Sequence, residues 1–539
     1  MHHAVIQYTC LLAIILFSVM LAKKIKVAYP IVLVLIGLPL GFVPFLQGVE
    51  IEPDLIFVIF LPPLLYEAAW NTSWKELWKW RRLIASFAFP VVILTSCVVA
   101  FVSAALIPGF TLATGFLLGG IVSPPDAVSA SSILKTIKVP KRMVSIVEGE
   151  SLLNDASSLV VFRFALAAVL TGTFKFSDAA FDFVLVIAMG IAVGVAVAMV
   201  FYSIHRWLPT STEMDVVLTF ISPYAMYMLA EEFHFSGVLA VVSGGLLLSA
   251  RKHQFLSHSS RLQSVNVWQS VAFVLNGMVF MLIGLELPVV IRNLGPEGMP
   301  DAIKYAAIIT GVLLVARLIC TFGATIVTRI MSHIITVADP NPGFKPSILL
   351  GWTGMRGVVS LAAALSIPVA LDSGAGFPNR DMILFITFAV IIVTLVLQGL
   401  TLPALVRWVN MPDPDVTISH EQQRQLIQKK MSALVLDVID KDYAYQAQQN
   451  GMIAALKLRY TTDMELLKDW EQDDNDRREA EFYQDYCQIM VNLFTKQRDL
   501  LHQINKGDDI DEEIIKHQMD LIDLEEEKFR QQCVIGENK

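Results

Sequence analysis

The stretch Val147–Arg163, VEGESLLNDASSLVVFR, puts ionisable and hydroxyl side chains in the middle of an apolar run from about residue 143 to 170. At ~1.5 Å per helical residue this run is long enough to cross a bilayer. A charged side chain at such depth costs at least ~2.5 kcal/mol, which makes an intramembrane carboxylate a functional candidate by default. Asp155 is that carboxylate. Ser151 four residues before it and Ser158 three after it share its helix face, and Asn154 lies beside it. One carboxylate, two hydroxyls and an amide offer hard oxygen atoms, the ligand type for a small dehydrated cation rather than a transition metal. Glu150 projects to the other side of the helix and needs a different partner.

Two further stretches must position this one. Residues 110–135 contain Gly119-Gly-Ile-Val-Ser-Pro-Pro-Asp126, where adjacent prolines remove backbone donors and forbid a continuous helix. Residues 346–371 contain Gly351-Trp-Thr-Gly-Met-Arg-Gly357, loosened by glycine around a charge. The alternative for the first is a loop between two short helices, against which the apolar sequence on both sides argues. Arg163, Arg317 and Arg356 fall well inside apolar spans and each requires a carboxylate, a helix C-terminus or a water cavity. For Arg356 the expected partner is Glu150, in a structural ion pair, while Arg163 and Arg317 are open to a purely architectural role. Glu67, after the double proline of Phe60-Leu-Pro-Pro-Leu-Leu-Tyr-Glu67, either lines a cytosolic funnel or snorkels from its helix end.

The whole chain fits this reading. Its 539 residues are 55% hydrophobic with a mean hydropathy of +0.58, which implies an all-α polytopic membrane protein. About thirteen spans are expected between residues 4 and 408. The interrupted spans are the fifth and twelfth, seven apart, as they would be in two inverted six-helix repeats joined by the seventh span. Interrupted helices at matching positions of two halves point to a transporter's midplane site. The N-terminus lacks a basic region and cleavage site, so the first apolar run reads as a retained span. Assigning loops alternately collects about eighteen Lys and Arg on one side, against Lys175, Arg292, Lys304 and Arg380 on the other. By the positive-inside rule this sets the N-terminus outside and the tail in the cytosol, which in a bacterial-type cell makes this an inner (plasma) membrane protein. The Trp-Lys-Arg mixture of residues 70–82 reads as the lipid interface rather than a nucleic-acid surface.

The domain boundary falls after Met411, with a transmembrane domain over 1–411 and a helical tail over 412–539. The tail carries about 16 basic and 28 acidic residues, so the formal net charge of −8 belongs to it. Its apolar residues recur at helical spacing near 421–449, 453–470 and 479–533, without a catalytic or nucleotide-binding pattern, which suits regulation or assembly with a ligand or partner the sequence does not specify. Five scattered cysteines imply neither a disulfide framework nor a zinc site.

Glu148-Gly-Glu-Ser-Leu-Leu-Asn-Asp155, the Pro-Pro-Asp break, His234-Phe-Ser-Gly-Val-Leu-Ala-Val-Val242, Phe280-Met-Leu-Ile-Gly-Leu-Glu286 and Gly354-Met-Arg-Gly357 occur in this order. Over roughly residues 5–410 they resemble the electroneutral branch of the monovalent cation:proton antiporters, the sodium/proton exchangers. That resemblance implies that Asp155 carries either the proton or the cation. It implies that Ser151 and the break, with Ser123 at its Thr position, add ligands, so that Na+ would sit at Asp155, Ser151 and Ser123. It further implies the Glu150–Arg356 pair and a homodimer in which a six-helix core moves against a scaffold. Many members read Thr-Asp-Pro at the break where this chain reads Ser123-Pro-Pro-Asp126, so the carboxylate of Asp126 is displaced along the chain. No catalytic nucleophile, phosphate loop or redox ligand accompanies these residues, and no cofactor is expected beyond the transported Na+ or Li+ and H+. The expected function is exchange of cytosolic Na+ (or Li+) for external H+, one for one, in pH and sodium homeostasis. K+/H+ exchange and a non-transporting sensor signalling through its tail are the alternatives, while a channel is disfavoured because no charged ring or filter repeat is visible.

Overall fold

The computed structural model describes residues 2–43, 45, 53–134, 137, 139–172, 176–333, 339, 343–371, 375–411, 420–469, 476–505 and 512–533. Lys135, Lys138 and Lys175, used in the charge asymmetry, lie outside the described residues, as does the segment that follows Met411. The chain forms two compact units, Met1–Asp413 and Pro414–Lys539.

The first unit is helical, and among the described residues its only β pairing is an isolated bridge between Ala370 and Gly376. In chain order it runs α1 (His2–Ile25), α2 (Tyr29–Leu40), α3 (Pro53–Asn71), α4 (Trp74–Ser86) and α5 (Val92–Leu106). It continues with α6 (Leu112–Val122), α7 (Ala127–Leu134), α8 (Lys141–Thr171), α9 (Phe176–Trp207), α10 (Thr212–Glu232) and α11 (Gly237–Phe255). It ends with α12 (His258–Met331), α13 (Phe344–Trp352), α14 (Val358–Leu365), α15 (Arg380–Val393) and α16 (Gly399–Val409). Among the described residues seven helical stretches are long and apolar enough to cross a membrane. One of them, α12, carries two of the expected spans, divided where Gly295 adopts a left-handed φ of 71° before Pro296.

Backbone must be satisfied internally in hydrocarbon, and the irregular points of this unit show how. Pro90 lies in a π turn (Phe87–Val91) between α4 and α5, where the Ala88 carbonyl accepts the Ser157 hydroxyl of α8 at 2.5 Å. A second π turn (Thr394–Gln398) separates α15 from α16. Helix α6 is wedged between α5 and α8 by small residues: a Cβ on Gly115 or Gly119 would lie 2.5 Å from the carbonyl oxygen of Ala100 or Ser96, and one on Gly120 would lie 2.9 Å from the Phe162 nitrogen. Such close approach is how apolar helices associate when lipid is as apolar as they are.

The second unit comprises α17 (His420–Asp442), α18 (Ala444–Gln449), α19 (Gly451–Asp469), α20 (Asp476–Ile504) and α21 (Glu512–Cys533). Helices α20 and α21 pack through Phe494 and Phe529, with ring centroids 6.0 Å apart. Arg498 of α20 bonds both Asp523, at 2.7 Å, and Glu526 of α21, and Arg530 bonds Glu526 at 2.6 Å. Cys487 is disulfide-bonded, which the scattered cysteine spacing does not suggest. The hydrogen bond from Arg498 holds the Glu526 carboxyl below its ordinary value. The stability it contributes is therefore present above the ordinary glutamate value of ~4.3 and lost as pH falls through the lower folded value. Glu526→Gln should accordingly lower the melting temperature of the tail at pH 7 and match wild type in strong acid, as read by circular dichroism against pH.

Candidate functional site

The two interrupted helices are bonded to each other at their breaks. Helix α6 ends at Val122 and α7 resumes at Ala127, while α13 ends at Trp352 and α14 begins at Val358. The Asp126 N–H donates to the Met355 carbonyl at 2.6 Å. In return Arg356, fully buried, donates from Nε to the Val122 carbonyl at 2.8 Å and from Nη2 to the Ser123 carbonyl at 3.1 Å, and it also bonds the Gly354 carbonyl. Carbonyls at the end of a helix carry partial negative charge and lack intrahelical donors, and a guanidinium with five N–H groups answers both needs. The backbone N–H of Arg356 is taken by the Thr394 hydroxyl at 3.2 Å, in the second π turn.

Asp126 performs the complementary task at the start of α7. Its carboxylate accepts from the Val128 N–H at 3.2 Å, the Ser129 N–H at 3.4 Å and the Ser129 hydroxyl at 3.0 Å, which is N-capping by an acid at the positive end of a helix. The same carboxylate packs on Gly357, the residue before α14, where any Cβ would collide with it. One acid thus lies at the N-terminal ends of both α7 and α14.

Helix α8 packs against this crossing. Asn154 donates from Nδ2 to the Pro125 carbonyl at 3.1 Å, and the Ser151 hydroxyl accepts the Ala127 N–H at 3.0 Å. Ser158 donates to the Asp155 carbonyl of its own helix at 3.0 Å. Ser151, Asn154 and Ser158 are therefore already engaged with backbone, and the first two are struts between α8 and the break. The Ser123 hydroxyl and the Asn154 amide oxygen are buried without a hydrogen-bond partner among the described residues. Asp155 is 6% exposed, and among the described residues its carboxylate accepts no hydrogen bond. Asp126 is near enough for its charge to act on Asp155. Tyr29, at the start of α2, lies close enough to both Asp126 and Glu67 to feel their charges, a neighbour that sequence reasoning missed. Glu67 is half-buried and accepts from Asn71 of its own helix at 2.6 Å.

The expected Glu150–Arg356 pair is corrected by the structure. Glu150, 1% exposed, is paired with Arg317 of α12, whose Nη2 lies 2.9 Å from Oε1 and 3.0 Å from Oε2. Arg317 also reaches the Leu350 carbonyl in the last turn of α13 at 3.4 Å. The physical reason is that each arginine serves one truncated helix: Arg356 is used up on the end of α6, so the end of α13 and Glu150 fall to Arg317. Gly354 separates them, since a Cβ there would meet both side chains. Arg163 meets Glu231 of α10, whose other carboxylate oxygen accepts the Gly237 N–H at 3.0 Å. A cavity of about 670 Å³ lies beside this pair, lined by Leu159, Phe162, Arg163, Glu231, Glu232 and His234 among others. Leu159 is one helical turn from Asp155.

The family profile described as sodium/hydrogen exchanger, transmembrane, matches residues 11–408. The chain belongs to this family. An uncharacterized Na(+)/H(+) exchanger of Mycobacterium tuberculosis is 32% identical over 434 residues, covering 80% of this chain and 78% of its own. A sodium, potassium, lithium and rubidium/H(+) antiporter of Bacillus pumilus is 34% identical over 74% of this chain and 61% of its own. A Na(+)/H(+) antiporter of Aphanothece halophytica is 33% identical over 71% of this chain and 69% of its own. The fold is that of a sodium proton antiporter from Methanocaldococcus jannaschii, which aligns with a TM-score of 0.60 at 18% identity over 76% of this chain and 99% of that one. This exchanger-family chain is thus a multi-pass membrane protein of a transporter family.

The ion-pair correction is testable. Removing one partner of a buried pair typically costs ~3–5 kcal/mol because the other charge is stranded. Glu150→Ala and Arg317→Ala should each lower thermal stability in detergent, and their double mutant should lose less than the sum by ~0.5–3 kcal/mol. The coupling of Glu150 with Arg356 should be smaller; a larger one would return Arg356 to the role expected from sequence.

Proposed function

We propose that the protein is a secondary antiporter that exchanges a monovalent cation, Na+ or Li+, from the cytosol for an external proton at Asp155. The observation that carries this reading is the Asp155 carboxylate, almost buried, accepting no hydrogen bond among the described residues and carried by the helix that packs on the crossing of two interrupted helices. The charges around it are already engaged: Arg317 pairs with Glu150, Arg356 donates to the carbonyls at the end of α6, and Asp126 caps the start of α7. Among the described residues Asp155 has no cationic partner of its own. A bare charge moving through a dry barrier is costly, whereas one proton or one monovalent cation neutralises it. The loaded carrier can therefore cross and the empty one cannot, which couples the two fluxes one for one.

The oxygen ligands favoured for the cation are the Asp155 carboxylate, the Ser123 hydroxyl and the Asn154 amide oxygen, with Asp126 at the edge of the site. Ser151 and Ser158, given as ligands by helix spacing, support them by fixing the break and the helix. Glu67 and Tyr29 line the approach. Thirteen spans in two inverted six-helix repeats, with the N-terminus outside and a regulatory or assembly tail in the cytosol, remain the architecture proposed. A homodimer in the inner (plasma) membrane and a part in pH and sodium homeostasis belong to the same reading. In that orientation the cavity beside Arg163 and Glu231 opens outward, and Leu159 carries its floor to within a turn of Asp155. K+ as an alternative cation is favoured by one observation, the Bacillus relative named for sodium, potassium, lithium and rubidium.

The test is flux in proteoliposomes carrying a pH dye, with Na+, Li+ and K+ in turn. Asp155→Asn preserves volume and cannot titrate, so it should abolish cation-dependent dequenching while leaving the protein folded. Wild-type flux from the folded variant would contradict the reading. Truncation after Met411 should retain exchange and shift its pH profile or its assembly, measured by the same assay; complete loss from a correctly inserted truncate would give the tail a direct part in transport.

A further inference from the structure

A second cavity, of about 290 Å³, is lined by residues of α4, α8, α12 and α13, its α8 residues Arg142, Met143 and Ile146 lying on the N-terminal side of Glu150 and Asp155 along that helix. Its deep walls are Phe87, Met143, Ile146 and Leu350, all buried, with Leu83 and Val327 above them. The polar atoms at its depth, the hydroxyls of Thr325 and Ser347, are bonded to each other. Its mouth is different in kind. Lys79, Arg81, Arg82 and Arg142 line it, and the single acid there is Asp339, 3.3 Å from Arg142.

The depth of this mouth in the membrane is marked by α4 itself. Trp74 and Trp78 stack with centroids 5.8 Å apart and are both exposed, and the Arg81 guanidinium lies 4.4 Å over the Trp78 ring. Exposed tryptophans interleaved with basic residues sit at the headgroup level of a bilayer. A cavity that is basic at headgroup level and apolar below it matches a ligand with the same two parts. A free anion would leave the apolar walls unfilled, and a neutral apolar molecule would make no use of the basic side chains at the mouth.

We infer that this cavity is a binding site for an anionic phospholipid of the phosphatidylglycerol class, its phosphate held by Arg81, Arg82, Lys79 and Arg142 and the upper part of one acyl chain lying on Phe87, Met143 and Ile146. Basic pockets between transmembrane helices are a recurring form of lipid recognition. The site has a mechanical consequence, because its walls are the helices that carry Glu150 (α8), Arg317 (α12) and the carbonyl end of α13. An occupant braces the layer on which the helix crossing rests.

The experiment uses the full-length protein, purified in detergent and depleted of lipid. Its melting temperature is followed while phosphatidylglycerol, phosphatidylcholine or inorganic phosphate is added, and bound lipid is counted by native mass spectrometry. Phosphatidylglycerol should stabilise at far lower concentration than phosphatidylcholine, and phosphate alone should not stabilise. Each basic residue near an anionic surface contributes about fivefold in affinity, so Arg81→Gln and Arg82→Gln, both at exposed positions, should each weaken the phosphatidylglycerol effect by about that factor. Asp339→Asn should strengthen it by a similar factor, a gain that misfolding cannot imitate. Ala324→Trp, which fills the cavity without touching its charges, should remove the effect. Equal stabilisation by phosphatidylcholine or by phosphate, or a phosphatidylglycerol effect unchanged in the arginine and Asp339 variants, would overturn the proposal.

Discussion

Helix ends inside hydrocarbon have no water to bond, and this structure is arranged around that constraint. Two helices stop in mid-membrane, and each leaves carbonyls at one broken end and N–H groups at the other. Arg356 supplies donors to the end of α6, Arg317 to the end of α13, and Asp126 accepts from the start of α7 while lying against the start of α14. The backbones also bond directly, from Asp126 to Met355. Once the ends are answered in this way, α8 is held by Ser151 and Asn154 against the break, and its Asp155 has no partner of its own among the described residues.

On the proposed function, this arrangement separates structural charge from the charge that would be transported. Arg317 is matched by Glu150, while Arg356 is spent on backbone carbonyls and Asp126 on the N-terminal end of α7. Among the described residues the Asp155 carboxylate accepts no hydrogen bond, and the two unpartnered oxygen atoms of Ser123 and Asn154 belong to groups that cannot ionise. On the proposed function, such a site would accommodate one positive charge at a time, whether a proton on the carboxylate or a dehydrated cation among the oxygens. Selectivity between cations then rests on how many oxygens converge and how far the break can yield, which distinguishes Na+ from K+ more by geometry than by charge.

Much of this was legible in the sequence because the membrane makes polar residues conspicuous. Asp155, the two breaks and the three intramembrane arginines stand out against apolar runs, and double proline or clustered glycine can mean little else there. What the sequence did not convey was pairing across helices. The sequence points to Arg356 as the partner of Glu150 and leaves Arg317 an architectural role, whereas the α6 carbonyls consume Arg356 and Glu150 falls to Arg317. Helical spacing puts Ser151 and Asn154 beside Asp155 but could not say that the Ser151 hydroxyl and the Asn154 amide nitrogen would be spent on Ala127 and Pro125. Tyr29 carried no signal, since a tyrosine before a proline at a helix start is an ordinary interfacial residue. The spacing Gly115-x-x-x-Gly119, which lets α6 lie close against α5, was present in the sequence and is explained only by the approach of the two backbones.

The central claim is that one carboxylate cycles, so that each turnover moves one cation against one proton and no net charge. The most direct measurement sets the membrane potential of proteoliposomes with K+ and valinomycin, and opposes equal and compensating Na+ and H+ gradients. A charge moved across the field would couple to the potential at ~2.3 kcal/mol per 100 mV. The account predicts no net flux at any potential, with the dye signal flat throughout. A drift that grows with voltage would contradict it, and would mean that a second group, with Asp126 the first to examine, titrates during the cycle.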